Sequence, residues 1–128
     1  MTPDLILLTC AVVFAFVQIG IAAVGANMQV PLAILAGNRD NMPEIAGWAG
    51  RAIRAHRNMM ESLPLFAALV LIAHVAGRNN ATSELGEQIF LAGRVAHAVI
   101  YTAGLGWIRS VAWFVSVGGM GTVLWQLV

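Results

Sequence analysis

The feature that most limits the fold is an apolar run from Leu5 to Ala26, which has no charged residue and is clearly polar only at Thr9 and Gln18. As an α-helix, a run of this length crosses about 30 Å of hydrocarbon. Asp4 lies where a signal peptide would carry a basic residue, and further apolar segments follow. We therefore expect a retained membrane helix rather than a cleaved leader.

Three further membrane helices are predicted. The second is apolar from Leu63 to Val75 and extends back to about Trp48, the third covers about 83–105, and the fourth covers 110–128. The hydrophobic fraction of 59% and the mean hydropathy of +0.80 are higher than a soluble domain requires. The sequence predicts one all-α domain over residues 1–128, an integral membrane four-helix bundle.

Turn formers and caps mark the predicted helix ends. Pro31 indicates that helix 1 kinks or stops near it, and Gly77 is placed to end helix 2. Thr82 or Ser83 is the predicted N-cap of helix 3, and Ser110 that of helix 4.

Arginine placement predicts the orientation. Arg78 alone lies on one side of the predicted bundle, whereas the other side, here called the arginine end, holds Arg39, Arg51, Arg54, Arg57 and Arg109. Under the positive-inside rule the arginine end is cytoplasmic, so both termini lie on the non-cytoplasmic side.

Helices 2 and 3 each carry a polar stripe. At about 100° per residue, Arg51, Arg54, Asn58 and Glu61 fall within an arc of about 80°, with Arg57 about 40° beyond it. Helix 3 places Arg94, His97 and Tyr101 within about 60° of one another. In an antiparallel pair, Glu61 would lie beside Arg94, and Arg54 and Asn58 beside His97 and Tyr101. We expect a polar funnel that opens at the arginine end.

Two interpretations of these charges remain open. Arg94 and Glu61 could pair simply to hold two helices together, yet the acidic residues nearby are too few to neutralise the arginines. The surplus of guanidinium groups favours a small polyanion with carboxylates. Likewise, Arg109 and Ser110 are either an ordinary capping pair or a thiolate-stabilising site at a helix start. The single cysteine, Cys10, offers neither a disulfide nor a zinc site, and we expect no metal.

Two motifs resemble those of a known family. The stretch RAIRAHRNMMESLP is similar to the helix 2 signature of the MAPEG family, the membrane-associated proteins in eicosanoid and glutathione metabolism, and GRVAHAVIY followed by IRS is similar to its helix 3 and 4 signature. The family includes microsomal glutathione transferases and prostaglandin E synthase, and this chain looks most like its bacterial branch. The motifs cover about 51–110, and the topology covers the whole chain.

The resemblance implies a glutathione-dependent transferase or peroxidase that acts on apolar electrophiles or lipid peroxides from the bilayer. It implies a homotrimer in a bacterial inner membrane, with glutathione as co-substrate bound between subunits on the cytoplasmic side. Membrane lipids and a small apolar substrate are the expected partners, and nucleic acid is not. Catalysis is expected of Arg109 and Ser110. The predicted glutathione-binding residues are Arg54, Arg57, Asn58, Glu61, Arg94, His97 and Tyr101.

The chain also departs from the family pattern. The basic residues that follow helix 1 in the mammalian synthases are absent from NMQVPLAILAG, which implies the loss of one carboxylate contact. The segment between Tyr101 and Arg109 is one residue shorter, which affects the placement of Arg109. Two other functions are compatible with the residues: a non-catalytic binding or scaffold subunit, and a proton or anion transporter that uses the polar stripes.

Overall fold

The computed structural model describes all 128 residues and is entirely helical, as predicted. Its elements are α1 (Pro3–Gln29), the single turn α2 (Leu32–Leu35), α3 (Gly47–Val75), α4 (Ala81–Ala103) and α5 (Ile108–Trp125). Three helices, α1, α3 and α5, are long and apolar enough to cross a membrane. The third predicted span, α4, has the length but carries Glu84, Glu87 and Arg94, so its crossing remains a prediction.

The predicted ends of the first two long helices are confirmed. Val30, directly after α1, is extended, and Pro31 follows as the N-cap of α2. Beyond α3, Gly77 has a φ of +64°, a backbone conformation that glycine adopts without strain.

Both predicted N-caps are wrong. The N-cap of α4 is Asn80, whose side-chain oxygen accepts hydrogen bonds from the amides of Thr82 and Ser83 at 2.9 and 3.1 Å. The hydroxyl of Ser83 in turn accepts from the Asn80 amide, which completes a capping box. Similarly, α5 begins at Ile108, so Ser110 lies inside its first turn rather than at its cap.

Small residues set the close approach of α4 to α5. A side-chain carbon built on Gly93 would lie 2.9 Å from Ser116 Cβ, and one on Gly119 would collide with the Phe90 amide. Such contacts leave no room for a methyl group, so the two helices pack backbone to backbone. The resulting antiparallel hairpin brings the first turn of α5 next to the end of α4.

An apolar layer crosses the middle of the protein. Phe66 of α3 and Phe90 of α4 are fully buried and stack with ring centroids 3.9 Å apart. Leu63 and Val70 of α3 and Ala15 of α1 belong to the same core cluster. In α4 this layer separates two buried polar positions, Glu87 and Arg94, each within about one helical turn of Phe90.

The outward surface is apolar in the way lipid contact requires. On α1, Val13, Phe16 and Val24 are exposed by 55%, 68% and 61%, whereas the buried residues of this helix are mainly small. A soluble protein would not present such large side chains along one helix. The chain is therefore an integral membrane protein.

Candidate functional site

Arg51 fixes the register between α3 and α4. Its Nε donates a hydrogen bond of 3.0 Å to the carbonyl oxygen of Thr102 in the last turn of α4. A cation at this position also interacts favourably with the negative end of the helix dipole. Arg51 therefore has a structural role in holding α3 against the end of α4.

Tyr101 is the point at which three helices meet. Its hydroxyl accepts a 3.2 Å hydrogen bond from Nε of Arg54, so α3 contacts α4 here as predicted. The guanidinium carbon of Arg109, on α5, lies 4.4 Å from the centroid of the tyrosine ring, within the range of a cation–π interaction. His97 packs edge-on against the same ring at 5.5 Å. Arg54 and Arg109 thus both contact Tyr101, one at its hydroxyl and the other at its ring.

Arg94 has a different partner from the one predicted. Its Nη2 donates a 2.8 Å hydrogen bond to Oδ1 of Asn58, and no ion pair with Glu61 forms within 4.0 Å. Glu61 is instead exposed on the outer face of α3. Because Asn58 and Glu61 are three residues apart, a modest rotation of α3 decides which of them faces α4.

The predicted funnel is closed below the level of Tyr101. Arg94 and His97 are each only 1% exposed, so solvent does not reach them from either end of the folded protomer. The accessible residues of the predicted set are Arg54, Arg57 and Glu61, with Asn58, Tyr101, Arg109 and Ser110 partly buried. The predicted site residues therefore form two layers, an accessible one and a buried one that supports it.

The buried layer holds polar atoms that make no hydrogen bond within the chain. They include Nε and Nη1 of Arg94, both ring nitrogens of His97 and Oε1 of Gln18. Gln18 is 6% exposed, lies on α1 and was not among the predicted site residues. Within the protomer these atoms therefore lack the hydrogen-bond partners that buried polar groups usually have.

The arginines carry an uncompensated charge. The single pair between a carboxylate and a basic side chain within 4.0 Å is Asp4 with His74, so none of the seven arginines is paired with an acid. Surplus guanidinium groups give the arginine end a positive charge, which attracts anions. The predicted excess of arginines over acidic partners is thus confirmed.

A cleft beside the site was not predicted. It has a volume of about 1010 Å³ and lies between the last turns of α1, the connection 30–46 and the start of α3. Its charged lining residues are Arg39, Arg54, Arg57 and Glu44, and most of the others are apolar. The sequence indicated turn formers in this connection but not the cleft. The cleft forms only when the connection folds back over α1, and that depends on contacts between residues distant along the chain.

A second polar cluster lies at the end opposite the arginines. Oδ2 of Asp4 accepts a 2.6 Å hydrogen bond from Nδ2 of Asn79 and lies 2.8 Å from Nδ1 of His74. Asp4 is 3% exposed, which makes it the anchor of this cluster. These contacts join α1, α3 and the turn before α4. They were not predicted, because Asp4 is 70 or more positions away from both of its partners in the sequence.

Comparison with known proteins agrees with the resemblance of the motifs. No group of three or more His, Cys, Asp or Glu side chains is suitable for a metal ion. A search of the curated proteins finds no match. The model of the MAPEG family matches residues 5–128, which is nearly the whole chain. The protein therefore belongs to the MAPEG family.

Proposed function

We propose that this protein is a glutathione-dependent membrane transferase or peroxidase that acts on apolar electrophiles or lipid peroxides from the bilayer. The observation that carries the proposal is the arrangement at Tyr101, where two guanidinium groups without acidic partners meet on one aromatic ring. A tripeptide with two carboxylates and a thiol is a suitable ligand for such a site. Family membership is consistent with this chemistry.

Arg109 and Ser110 are the proposed catalytic residues. Both lie in the first turn of α5, where the helix dipole favours a negative charge. The thiol loses its proton, and the guanidinium of Arg109 together with the Ser110 hydroxyl stabilises the thiolate. In the transferase reaction the thiolate bonds to an electrophilic carbon, and the bond to the leaving group breaks with its electron pair, or, in an addition, the electron pair of the double bond takes up a proton. In the peroxidase reaction the thiolate attacks one peroxide oxygen and the O–O bond breaks; the released alkoxide takes up a proton to become an alcohol, and a second glutathione reduces the resulting sulfenic acid to give the disulfide and water.

The remaining residues would bind and orient the tripeptide. Arg54, Arg57, Asn58, Glu61 and Tyr101 are the proposed direct contacts because they reach the surface or lie just beneath it. The buried residues Arg94 and His97 would act as positioning residues, since one holds Asn58 and the other packs on Tyr101.

The proposed assembly is a homotrimer of four-helix transmembrane subunits, with the ligand site between subunits. Arg57 and Glu61 are exposed on the isolated protomer, so a neighbouring subunit could cover them and complete the site. We further propose that α4 crosses the membrane, that both termini are non-cytoplasmic, and that the arginine end faces the cytoplasm of a bacterial inner membrane.

The test is calorimetric binding of glutathione to the detergent-purified protein, combined with ultraviolet absorbance of the bound thiolate. Wild type is expected to bind with a thiolate signal. Arg109→Ala is expected to lose that signal, while Arg78→Ala, which removes an exposed arginine at the opposite end, is expected to retain it. Binding without a thiolate signal in wild type would support a non-catalytic binding subunit instead, and no binding at millimolar glutathione would reject the proposal.

A further inference from the structure

We propose that Glu87 is a proton-binding site whose carboxyl group keeps its proton inside the folded protein at neutral pH, and that the packing of α4 depends on this proton. Glu87 lies in the half of the protomer opposite the arginine end, and it belongs to neither of the motifs shared with the family. The site is independent of the proposed function, because neither glutathione nor the arginine end takes part in it.

Glu87 is completely enclosed by the protein. Its exposed fraction is 0%, the same as for Phe90, one turn further along α4. The two residues share one face of the helix. That face packs against α3 and α1, because Phe90 stacks on Phe66 and belongs to the core cluster that contains Ala11. A titratable group is thus built into the apolar core.

Neither carboxyl oxygen of Glu87 has a hydrogen-bond partner within the chain. The hydroxyl one turn earlier on the same face, that of Ser83, is already engaged in the capping box. It accepts from the Asn80 amide at 3.0 Å and donates to the Asn80 carbonyl oxygen at 2.9 Å. No basic side chain lies within 4.0 Å of Glu87, since the single pair of that kind joins Asp4 and His74. An ionised carboxylate would therefore be uncompensated.

The charged groups around Glu87 are acidic, engaged or distant. Asp4, the one charged residue of α1, and Glu84 on α4 both lie near enough to repel a negative charge at Glu87. On α3, the titratable group at this end is His74, and it is bound to Asp4. On α5 the one charged residue is Arg109, in the first turn at the opposite end. No helix that packs here therefore supplies a free positive charge to Glu87.

These surroundings suit a neutral carboxyl group and not an ionised one. A buried charge without partners is far more costly than a buried neutral polar group, and inside a protein such a group becomes neutral by taking up a proton. Ionisable residues are especially costly in a helix that crosses a membrane, as is proposed for α4. Protonation is the change that removes this cost without any movement of the neighbouring helices.

The position of Glu87 explains why the packing would respond to loss of the proton. Side chains on an α-helix tilt toward its N-terminus, so the carboxyl group of Glu87 points toward the turn that holds Asn79. Asn79 donates to Asp4, which is 3% exposed and joins α1 to this end of the protomer. A second carboxylate beside Asp4 would be repelled by it. The repulsion would loosen α1 from α4.

The experiment begins with infrared spectroscopy of the protein at neutral pH in a detergent without ester groups. A protonated carboxyl group has a carbonyl-stretch band that a carboxylate lacks, and isotope-labelled glutamate distinguishes the band of Glu87 from one of Asp4. The variant is Glu87→Gln, which is similar in size and has no proton to lose. Glu84→Gln is the matched control, because it removes the half-buried glutamate three residues earlier on α4.

Wild type is expected to show a protonated-glutamate band that persists in Glu84→Gln and is absent from Glu87→Gln. The Tm of wild type should also fall as the pH rises above neutral. The reason is that the folded protein keeps a proton that the unfolded chain has released, so each rise in pH favours unfolding. The expected fall is about 4 °C per pH unit. Glu87→Gln should lack this part of the pH dependence, and Glu84→Gln should retain it.

Three results would overturn the inference. Absence of a protonated-glutamate band from wild type would show that Glu87 is ionised, and a Tm raised by sodium chloride but not by choline chloride would then assign a bound cation to it. Persistence of the band in Glu87→Gln would assign the proton to another glutamate. Equal changes of Tm with pH in wild type and Glu87→Gln would show that the proton does not affect packing.

The assignment can be made even if Glu87→Gln does not fold. The chain has four glutamates, so a band that persists in each of Glu44→Gln, Glu61→Gln and Glu84→Gln belongs to Glu87. Loss of the band in one of these three variants would assign the proton to that residue and overturn the inference.

Discussion

Tyr101 shows how a single side chain can serve two arginines by two different interactions. Its hydroxyl accepts the hydrogen bond of Arg54, while its ring contacts the guanidinium of Arg109. The two interactions can be separated by substitution, because phenylalanine retains the ring and removes only the hydroxyl. This separation allows binding and thiol activation to be tested independently.

Tyr101→Phe is expected to raise KM for glutathione about threefold to tenfold with little change in kcat, because one hydrogen bond to a charged group is lost. Tyr101→Leu removes the ring as well and should also lower kcat, since Arg109 loses its cation–π partner. Steady-state kinetics of glutathione conjugation measure both constants. Equal kcat values for the two variants would contradict the positioning of Arg109 by the ring.

Asp4→Asn is expected to destabilise the protein by about 1 to 3 kcal/mol, because a buried acceptor loses its charge and its pairing with His74. The control is Asp40→Asn in the exposed connection, where little change is expected. Thermal unfolding in detergent measures the difference in Tm. Equal Tm values for the two variants would contradict a stabilising role for the Asp4 cluster.

The sequence predicted the contacts at Tyr101 better than those elsewhere. Helical spacing placed Arg54 and Tyr101 at similar depth on facing stripes, and their hydrogen bond confirms this. Spacing could not decide between Asn58 and Glu61 as the partner of Arg94, because both lie near the same face. The pairing of Asp4 with His74 depends on how α1 packs along α3, which no local pattern encodes.

At the scale of helices, the hairpin of α4 and α5 depends on glycines that face the partner helix. Gly119 lies against the backbone of α4, whereas a side-chain carbon on Gly118 would meet nothing within 4 Å. The two adjacent glycines therefore provide a matched pair for testing this packing.

Gly119→Ala is expected to destabilise the protein by about 1 to 3 kcal/mol, because the added methyl group must push α4 and α5 apart. Gly118→Ala should be neutral or slightly stabilising, since alanine is the better helix former. Thermal unfolding of both variants in the same detergent distinguishes the two effects. A larger loss for Gly118→Ala would show that its face packs against something outside the protomer.

Helix existence was easier to predict than helix ends. The long elements agree with the predicted spans, because apolar runs of this length have few alternatives to helix in a membrane. The start of α4 was misplaced since Asn80, Thr82 and Ser83 are all acceptable caps by residue type, and only Asn80 has the extended backbone a cap requires. The cleft beside Arg39 was missed for a similar reason, since it forms only when the connection folds back.

At the scale of the whole protein, the topology can be tested with single cysteines. In a Cys10→Ala background, Asp40→Cys, Leu105→Cys and Arg78→Cys each place one thiol in an exposed connection. With a membrane-impermeant maleimide on intact cells, only position 78 is expected to react, and positions 40 and 105 should react after permeabilisation. Reaction of positions 78 and 105 on the same side would show that α4 does not cross the membrane.

The helical architecture was predictable because few backbone structures are possible in a membrane. The burial of the polar residues was not predictable. Arg94 and His97 were predicted to line an open funnel, yet the packing of α3, α4 and α5 buries them. Burial depends on the side chains of all neighbouring helices at once. Spacing along one helix shows which way a side chain points, but it does not show which side chains of neighbouring helices cover it.

The stacked pair Phe66 and Phe90 has a consequence for the membrane itself. Polar side chains enter the protein from both ends, with Asp4 near one and Tyr101 near the other. Because this layer is closely packed and apolar, we expect it to offer ions no hydrated passage through the protomer, so that the membrane voltage is maintained across it. A cell could therefore accumulate many copies of this protein without lowering the electrical resistance of its membrane.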